Sequence, residues 1–159
     1  MPRRNKVIKR RDVGVDPKFN SELVQRFINV VMWRGKKNAA RRIVYEALDV
    51  LGKRFGGEDK ALEGFMRAYD QIMPIVEVRS RRVGGSVYQI PREVQPDRAR
   101  SLTLRWLIGA AAARSDKTMG LRLGAELLEA LEGRGGAVKK KLDMHKMAEA
   151  NRAFSHYSW

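Results

Sequence analysis

Three arginines precede a pair of glycines in the segment VEVRSRRVGGSVYQIP, from Val76 to Pro91. They are the side chains best suited to bind a negatively charged ligand. A guanidinium group binds phosphate through two parallel hydrogen bonds and stacks on bases. The glycines suit the positive φ angles of a two-residue hairpin turn. The alternation of apolar and polar residues around them predicts a β-ribbon that pairs Arg81 with Tyr88. We predict that the ribbon presents six residues to RNA: Arg79, Arg81, Arg82, Gly84, Gly85 and Tyr88.

Neither face of the predicted ribbon is apolar enough to be buried wholly in a protein core. A two-stranded ribbon on its own is only marginally stable in water. One alternative is an ordinary hairpin that lies on the rest of the protein with its arginines in solvent. A ribbon inserted into folded RNA explains both the arginines and the missing support, so we expect an external partner to support it.

The whole chain is strongly basic, because 33 Lys and Arg against 18 Asp and Glu give a net charge of +15 over 159 residues. A small domain needs a net charge of only about 2–8 for solubility. The excess favours a polyanionic partner, and nucleic acid is the first candidate. Six of the cations precede Asp12, the first acid. We expect residues 1–19 to form an extended basic arm that becomes ordered on phosphate, with a solvated tail as the alternative.

Residues suited to catalysis or metal binding are scarce. The sequence has no cysteine, and His145 and His156 lie eleven positions apart, which does not match a helical zinc pair. RNA contact or packing is the expected role of each histidine. We therefore predict no enzymatic activity, no cofactor and no metal site. No apolar run is long enough for a membrane span, so we expect no membrane association.

Six segments with helical spacing of apolar residues account for most of the remaining chain. Their expected limits are, in order, a start after the N-cap Ser21, Gly35 to Gly56, Glu58 to Ile72, Pro96 to about Ala113, a start after the N-cap Ser115 with a stop at Gly133, and a start near Ala137. Pro74 and Pro91 bracket the ribbon, and Trp106 belongs to the core face of the fourth helix.

These elements predict a single, mainly all-α domain over residues 1–159. About six helices form a bundle, and the ribbon, residues 74–91, protrudes between the third and fourth helices. A basic helix and tail, residues 134–159, complete the chain.

Four cations lie at the start of the second predicted helix: Lys36, Lys37, Arg41 and Arg42. Cations at a helix N-terminus oppose the macrodipole. A bound anion would relieve this conflict and would also accept the free backbone N–H groups. The start of this helix is therefore a candidate phosphate site.

Seven short motifs along nearly the whole chain carry a family resemblance. They are PRR at Pro2, RFIN at Arg26, GKK at Gly35, VEVRSRRVGG at Val76, RWL at Arg105, EANRAF at Glu149 and the closing HYSW. Together they resemble ribosomal protein seven of the bacterial small subunit, and the ribbon and C-terminal motifs are the most specific. The resemblance implies a helical protein with a β-ribbon arm. Such a protein is a structural constituent of the small ribosomal subunit, is the primary binder of the 3′ major domain of its ribosomal RNA (rRNA), and nucleates assembly of the head.

The same resemblance implies where the protein lies and what it contacts. The ribbon and the C-terminal helix would line the exit (E) site and the messenger RNA exit path and would contact E-site transfer RNA. Ribosomal proteins eleven and nine of the small subunit would be neighbours in the head of the cytoplasmic ribosome, and no stable homo-oligomer is expected. The residues expected to bind rRNA are Arg3, Arg4, Lys6, Lys9, Arg10, Lys36, Lys37, Arg41, Arg114 and Lys117. Those expected to face RNA near the C-terminus are Lys139, Lys140, Lys141, Lys146 and Arg152.

Without the resemblance, the residues alone predict a helical nucleic-acid-binding protein with an RNA-binding ribbon. The alternative is a DNA-binding or architectural protein that inserts the ribbon into a groove. The two differ in their ligand, because a protein that prefers a folded RNA junction loses its 2′-OH and shape contacts on a DNA duplex. An RNA-modifying enzyme, the third class, would need a cofactor site or a catalytic dyad that the sequence does not show.

Overall fold

The computed structural model describes residues 12–157 of the chain. Within that range six α-helices follow one another, with a two-stranded ribbon between the third and the fourth and a short 3₁₀ helix at the end. Their bounds are α1 Glu22–Val31, α2 Lys37–Phe55, α3 Glu58–Ile72, β1 Val76–Val83, β2 Ser86–Glu93, α4 Pro96–Ala112, α5 Met119–Leu131, α6 Gly136–Ala150 and η1 Arg152–Tyr157. The predicted fold class, mainly α with one hairpin, is confirmed.

Proline and glycine set several helix ends, as the sequence predicts. Gly56 ends α2 because it adopts the left-handed backbone conformation, with φ of +79°. Helix α3 ends before Pro74, since proline disfavours helical backbone at the residue that precedes it. Pro96 occupies the first position of α4, where a backbone N–H has no helical partner to lose.

Helix α2 lies at the centre of the bundle and packs on α1, α3 and α5. Leu48 and Leu51 on its apolar face are fully buried. On the neighbouring helices, the rings of Phe27 and Phe65 stack with their centroids 5.3 Å apart. Trp106 of α4 is 6% exposed, which confirms its predicted place in the core.

The predicted cap of the fifth helix is wrong. Thr118, and not Ser115, precedes α5, and its hydroxyl oxygen accepts a hydrogen bond from the backbone N–H of Leu121 at 3.2 Å. The extended backbone of Thr118 directs this oxygen at the first turn of the helix. Ser115 belongs to the preceding link, which is held by a hydrogen bond from Arg122 Nε to the carbonyl of Asp116 at 2.6 Å.

The segment before α1 packs on the bundle and does not continue the predicted extended arm. A turn follows Asp16, whose fully buried carboxylate accepts hydrogen bonds from the backbone N–H of Phe19 and, at 2.9 Å, from the hydroxyl of Tyr45. Ser21 stands at the predicted N-cap position of α1, but its side chain makes no capping hydrogen bond. The predicted arm covers residues 1–19, whereas the chain from Asp16 onward packs on the bundle. Residues 1–11 of the arm lie outside the described part of the chain.

The ribbon has the predicted register but is longer at its base. Arg81 lies opposite Tyr88, and the turn is formed by Gly84-Gly85, both with positive φ. The sequence predicts that Pro91 ends the ribbon, whereas β2 runs through this residue to Glu93. A two-stranded ribbon has only edge strands, where the missing N–H of proline is tolerated.

The base of the ribbon is supported by the protein itself. Ile90 is 2% exposed, and the carboxylate of the buried Glu77 accepts a hydrogen bond from Arg98 Nε of α4 at 2.7 Å. Helix α6 and η1 pack against the strands. The expectation that an external partner must support the ribbon is therefore wrong for its base, although the tip, residues 79–82 and 84–87, is exposed.

Helices α2 and α5 approach each other closely at Gly124, and this contact can be tested. A Cβ atom at Gly124 would lie only 2.8 Å from Cβ of Val50. Gly124→Ala should lower the free energy of unfolding by about 1–3 kcal/mol, because the two helices must move apart. Gly109→Ala is the control: apart from its chain neighbours and the backbone of its own helix, no described atom lies within 4 Å of a Cβ there, so it should stabilise α4 by roughly 0.5–1 kcal/mol. Equal effects of the two substitutions in urea unfolding would contradict the close approach.

Candidate nucleic-acid interface

The tip of the ribbon carries cations without acidic partners. Arg81 and Arg82 are exposed and form no ion pair with a described residue. Arg79, nearer the base, lies 3.5 Å from the carboxylate of Glu77. The exposed glycines of the turn allow a ligand to approach the backbone closely. Two guanidinium groups at the tip are thus available to bind phosphate.

Tyr88 connects the ribbon with the C-terminal segment. Its ring centroid lies 5.0 Å from that of Phe154 in η1, with an angle of 44° between the ring planes. The ring is half-buried and packs on Phe154, and the RNA contact of Tyr88 stays a prediction. The contact with Phe154 holds η1 against β2.

A second group of cations lies where α2 begins, and we call Lys36, Lys37, Arg41 and Arg42 the α2 patch. Lys36 and Lys37 occupy the N-cap and the first helical position, and the first turn contains no acid. None of the four forms an ion pair with a described residue. Arg41 Nε is buried and has no hydrogen-bond partner within the described part of the chain. The patch therefore has donors and charge available for an external anion.

Trp33 lies just before the α2 patch and is not among the predicted contacts. Its side chain is 79% exposed. Its carbonyl accepts a hydrogen bond from the backbone N–H of Lys36 at 3.1 Å, across a turn in which Arg34 and Gly35 have φ of +52° and +75°. The sequence could have indicated that Trp33 is exposed. This tryptophan lies outside the helical spacing of apolar residues and is followed by Arg, Gly and two Lys.

Arg114 lies in a junction between helices and is surrounded by carboxylates. Its Nη2 donates to Glu129 at 2.7 Å, its Nη1 to Glu126 at 3.0 Å, and its Nε to Asp116 at 3.3 Å. The hydrogen bond to Glu129 chiefly raises the pKa of Arg114, and the same bond lowers the pKa of Glu129. Every guanidinium nitrogen of Arg114 has an acidic partner, so its charge is compensated within this junction. The rRNA contact of Arg114 stays a prediction. Lys117 is exposed, as an RNA contact requires.

Helix α6 and η1 expose most of their predicted RNA-facing cations but use one of them internally. The exposed residues are Lys139, Lys140, Lys146 and Arg152. Lys141 Nζ instead donates to the carbonyl of Gln71 at 2.7 Å, at the C-terminal end of α3, where the helix dipole is negative. Burial lowers the pKa of Lys141. Lys141 therefore joins α6 to α3 through this hydrogen bond. Its predicted contact with RNA stays a prediction.

His145 joins α6 to the start of the ribbon. Its Nε2 accepts a hydrogen bond from the backbone N–H of Ile75 at 3.2 Å, which requires the neutral ring. Burial, and to a smaller extent the charge of Lys141, lower the pKa of His145. Packing, one of the two predicted roles, is thus the role of His145. The side chain of His156 lies outside the described part of the structure.

A cleft of about 590 Å³ lies between the base of the ribbon, α6 and η1. Val76 and Pro91 line it from the ribbon, and His145 and Arg152 line it from the C-terminal segment. Helix α2, by contrast, packs on α1, α3 and α5 and not on the ribbon. The fold therefore brings together the ribbon and the C-terminal cations, and it leaves the α2 patch on separate elements.

Three further predictions concern metals, membranes and the arm. No group of His, Asp or Glu side chains among the described residues could hold a metal ion. Within residues 12–157, no helix is both long and apolar enough to cross a bilayer. The predicted rRNA contacts Arg3, Arg4, Lys6, Lys9 and Arg10 lie outside the described residues.

Protonation of His145 should weaken the junction between α6 and the ribbon. The folded-state pKa is lower than the unfolded value of about 6.5, so the unfolded chain takes up the proton first as the pH falls. The stabilisation is complete above the unfolded pKa and is lost as the pH falls through the folded pKa. The free energy of unfolding, measured in urea from about pH 8 to pH 5, should therefore fall more steeply for the wild type than for His145→Gln. The glutamine amide oxygen accepts the same hydrogen bond without titrating, so parallel curves would contradict this role of His145.

Comparison with known proteins identifies the family of this chain. Residues 2–152 match the family described as ribosomal protein S7p/S5e. The small ribosomal subunit protein uS7 of Idiomarina loihiensis is 55% identical over 159 residues, which cover the whole of both chains. The family is structural and not enzymatic, so the prediction of a non-enzymatic protein is confirmed. The chain therefore belongs to the ribosomal protein S7p/S5e family and is a structural constituent of the small ribosomal subunit.

Proposed function

We propose that the protein is the primary binder of the 3′ major domain of small-subunit rRNA and that it nucleates assembly of the head. The observation that carries this proposal is the division of the ribbon into a packed base and an exposed tip. Arg81 and Arg82 at the tip have no acidic partner among the described residues, while Ile90 and Glu77 anchor the base. Folded RNA supplies phosphates that these guanidinium groups can bind, whereas no described residue of the protein pairs with them.

The start of α2 supports rRNA binding independently of the ribbon. Lys36 and Lys37 oppose the macrodipole of α2, and neither forms an ion pair with a described residue. A phosphate group bound at this end of α2 would interact favourably with both the lysines and the helix dipole. It would also accept hydrogen bonds from the free backbone N–H groups. The α2 patch, Lys117 and the N-terminal arm therefore bind rRNA in this proposal.

The ribbon, besides its contacts with rRNA, also contacts the other RNA partners together with the exposed cations of α6 and η1. They line the E site and the messenger RNA exit path and contact E-site transfer RNA. The cleft that Arg152 shares with the ribbon base supports this assignment, because it joins both elements into one surface. Ribosomal proteins eleven and nine of the small subunit are the protein neighbours, in the head of the cytoplasmic ribosome.

Sedimentation and binding measurements test the proposal directly. A tagged copy of the protein in gently lysed cells should sediment with small ribosomal subunits. The purified protein should bind a transcript of the 3′ major domain more tightly than a DNA duplex of equal length, because the duplex lacks 2′-OH groups and A-form shape. Free sedimentation, or equal affinity for the DNA duplex, would refute the proposal.

The double variant Arg81→Gln/Arg82→Gln should bind the transcript of the 3′ major domain more weakly, and its affinity should depend less on salt. Each phosphate contact contributes about −0.7 to −0.9 to the slope of log K against log salt. Loss of both contacts should make the slope less negative by roughly 1.4–1.8 between about 50 and 200 mM salt.

Lys53→Gln/Lys60→Gln is the matched control for this measurement. It removes the same charge from exposed positions outside the predicted interface. Equal changes of the slope in both double variants would show that net charge, and not the ribbon, controls binding.

The ribbon variant should also separate assembly from transfer RNA binding. The anchors Ile90 and Glu77 are unchanged, so the protein should fold, and the arm and the α2 patch should still bind rRNA. We expect small subunits that carry the variant to form in normal yield. Deacylated transfer RNA should dissociate faster from the E site of ribosomes that carry it. An unchanged dissociation rate would show that the ribbon does not contact E-site transfer RNA.

A further inference from the structure

An exposed tryptophan stands at the turn between α1 and α2. Trp33 is 79% exposed, whereas Trp106 of α4 is 6% exposed. An aromatic side chain of this size offers about 150–250 Å² of surface for burial, most of it apolar. No described residue covers the indole, so the helical fold gains little from a tryptophan at this position.

The turn holds Trp33 in a defined place. Its carbonyl accepts a hydrogen bond from the backbone N–H of Lys36 at 3.1 Å, and both central residues, Arg34 and Gly35, have positive φ, as in a type I′ turn. Positive φ is uncommon for arginine, and here the flanking helices α1 and α2 constrain the chain on both sides. A ligand of Trp33 therefore meets a side chain whose backbone is already ordered, which lowers the entropic cost of binding.

The charge around Trp33 identifies the class of ligand. Arg34, Lys36 and Lys37 lie within four residues of it, and none of them has an acidic partner among the described residues. An apolar protein surface would offer no anion to these cations, and an acidic peptide would offer no flat group to stack on the indole ring. A nucleotide matches both, because its phosphate binds cations and its base stacks on aromatic rings. Bases inside a duplex are already stacked, so the ligand that fits is an unpaired nucleotide.

We propose that Trp33 stacks on an unpaired base of small-subunit rRNA while Lys36 and Lys37 hold the flanking phosphates. The proposal rests on the rRNA-binding function proposed above and adds a contact to a single-stranded RNA segment. Phosphate binding by the α2 patch depends on salt through the release of counterions. Stacking releases no counterions, so the two contributions can be measured separately.

Filter binding of a transcript of the 3′ major domain to full-length variants tests the stacking contact. Trp33→Ala should weaken binding by about 5- to 150-fold, the range for loss of one base–aromatic stack. Trp33→Phe keeps an aromatic face and should lose less affinity than Trp33→Ala. Trp33→Leu keeps apolar bulk without that face and should bind as weakly as Trp33→Ala.

The salt dependence separates stacking from charge. Trp33→Ala should leave the slope of log K against log salt unchanged. Lys36→Gln/Lys37→Gln should make the slope less negative by roughly 1.4–1.8. A flatter slope in Trp33→Ala would show that the substitution disturbs the phosphate contacts, and it would overturn the stacking assignment.

The remaining outcomes distinguish a wrong stacking contact from a wrong function. Trp33 is exposed, so circular dichroism and urea unfolding should be the same for each Trp33 variant and the wild type. Full affinity of Trp33→Ala or of Trp33→Leu for the transcript would overturn the stacking proposal while the wild type still binds. Full affinity together with poor incorporation into subunits would do the same, and it would assign Trp33 to a protein neighbour. Failure of the wild type to bind the transcript would instead overturn the proposed function itself.

Discussion

The arrangement of α6 and the ribbon depends on one buried carboxylate, that of Glu126. Its side chain is 1% exposed and accepts a hydrogen bond from the backbone N–H of Ala137 at 2.8 Å and from Arg114 Nη1 at 3.0 Å. These bonds join α5 to the first turn of α6 and to the link that follows α4. A carboxylate is favourable at the start of a helix, and loss of one partner of a buried ion pair typically costs about 3–5 kcal/mol. Glu126 therefore ties the first turn of α6 to α5 and to the link after α4, and removal of either partner would leave a buried group without its partner.

Helix α6 transmits this constraint to the ribbon. Lys141 binds the end of α3, and His145 binds the backbone at Ile75, immediately before β1. The 3₁₀ helix η1 follows α6 and packs Phe154 against Tyr88 on the opposite strand. Contacts of α6 and η1 therefore hold the base of the ribbon on both strands. The exposed tip makes no such contacts, so it can bind a partner without any rearrangement of the bundle.

The features that could be predicted from the sequence are those with local causes. Pro74 and Gly56 act on the backbone of their own neighbourhood, so the helix ends followed from residue type. Interactions between residues distant in the chain could not be predicted. The family resemblance implies RNA contacts for Arg114 and Lys141, but residue type gave no sign that each also has an acceptor on another helix, on α5 for Arg114 and on α3 for Lys141. The exposure of Trp33 likewise depends on how α1 and α2 pack, which residue spacing alone does not determine.

The pairing of charges, more than their density along the chain, separates the junctions inside this protein from its exposed basic surfaces. Carboxylates tie elements together where they meet, as Glu77 does with Arg98 and as Glu129 does with Arg114. Cations in these junctions are neutralised on folding and contribute nothing further to a ligand. The exposed cations of the α2 patch, the ribbon tip and α6 keep their charge, and their mutual repulsion opposes the compact state. A polyanion that covers these surfaces would remove that repulsion, so the residues that destabilise the isolated chain would stabilise such a complex. A net charge of +15 is therefore compatible with a stable core because the unneutralised part lies on surfaces that a polyanion can cover.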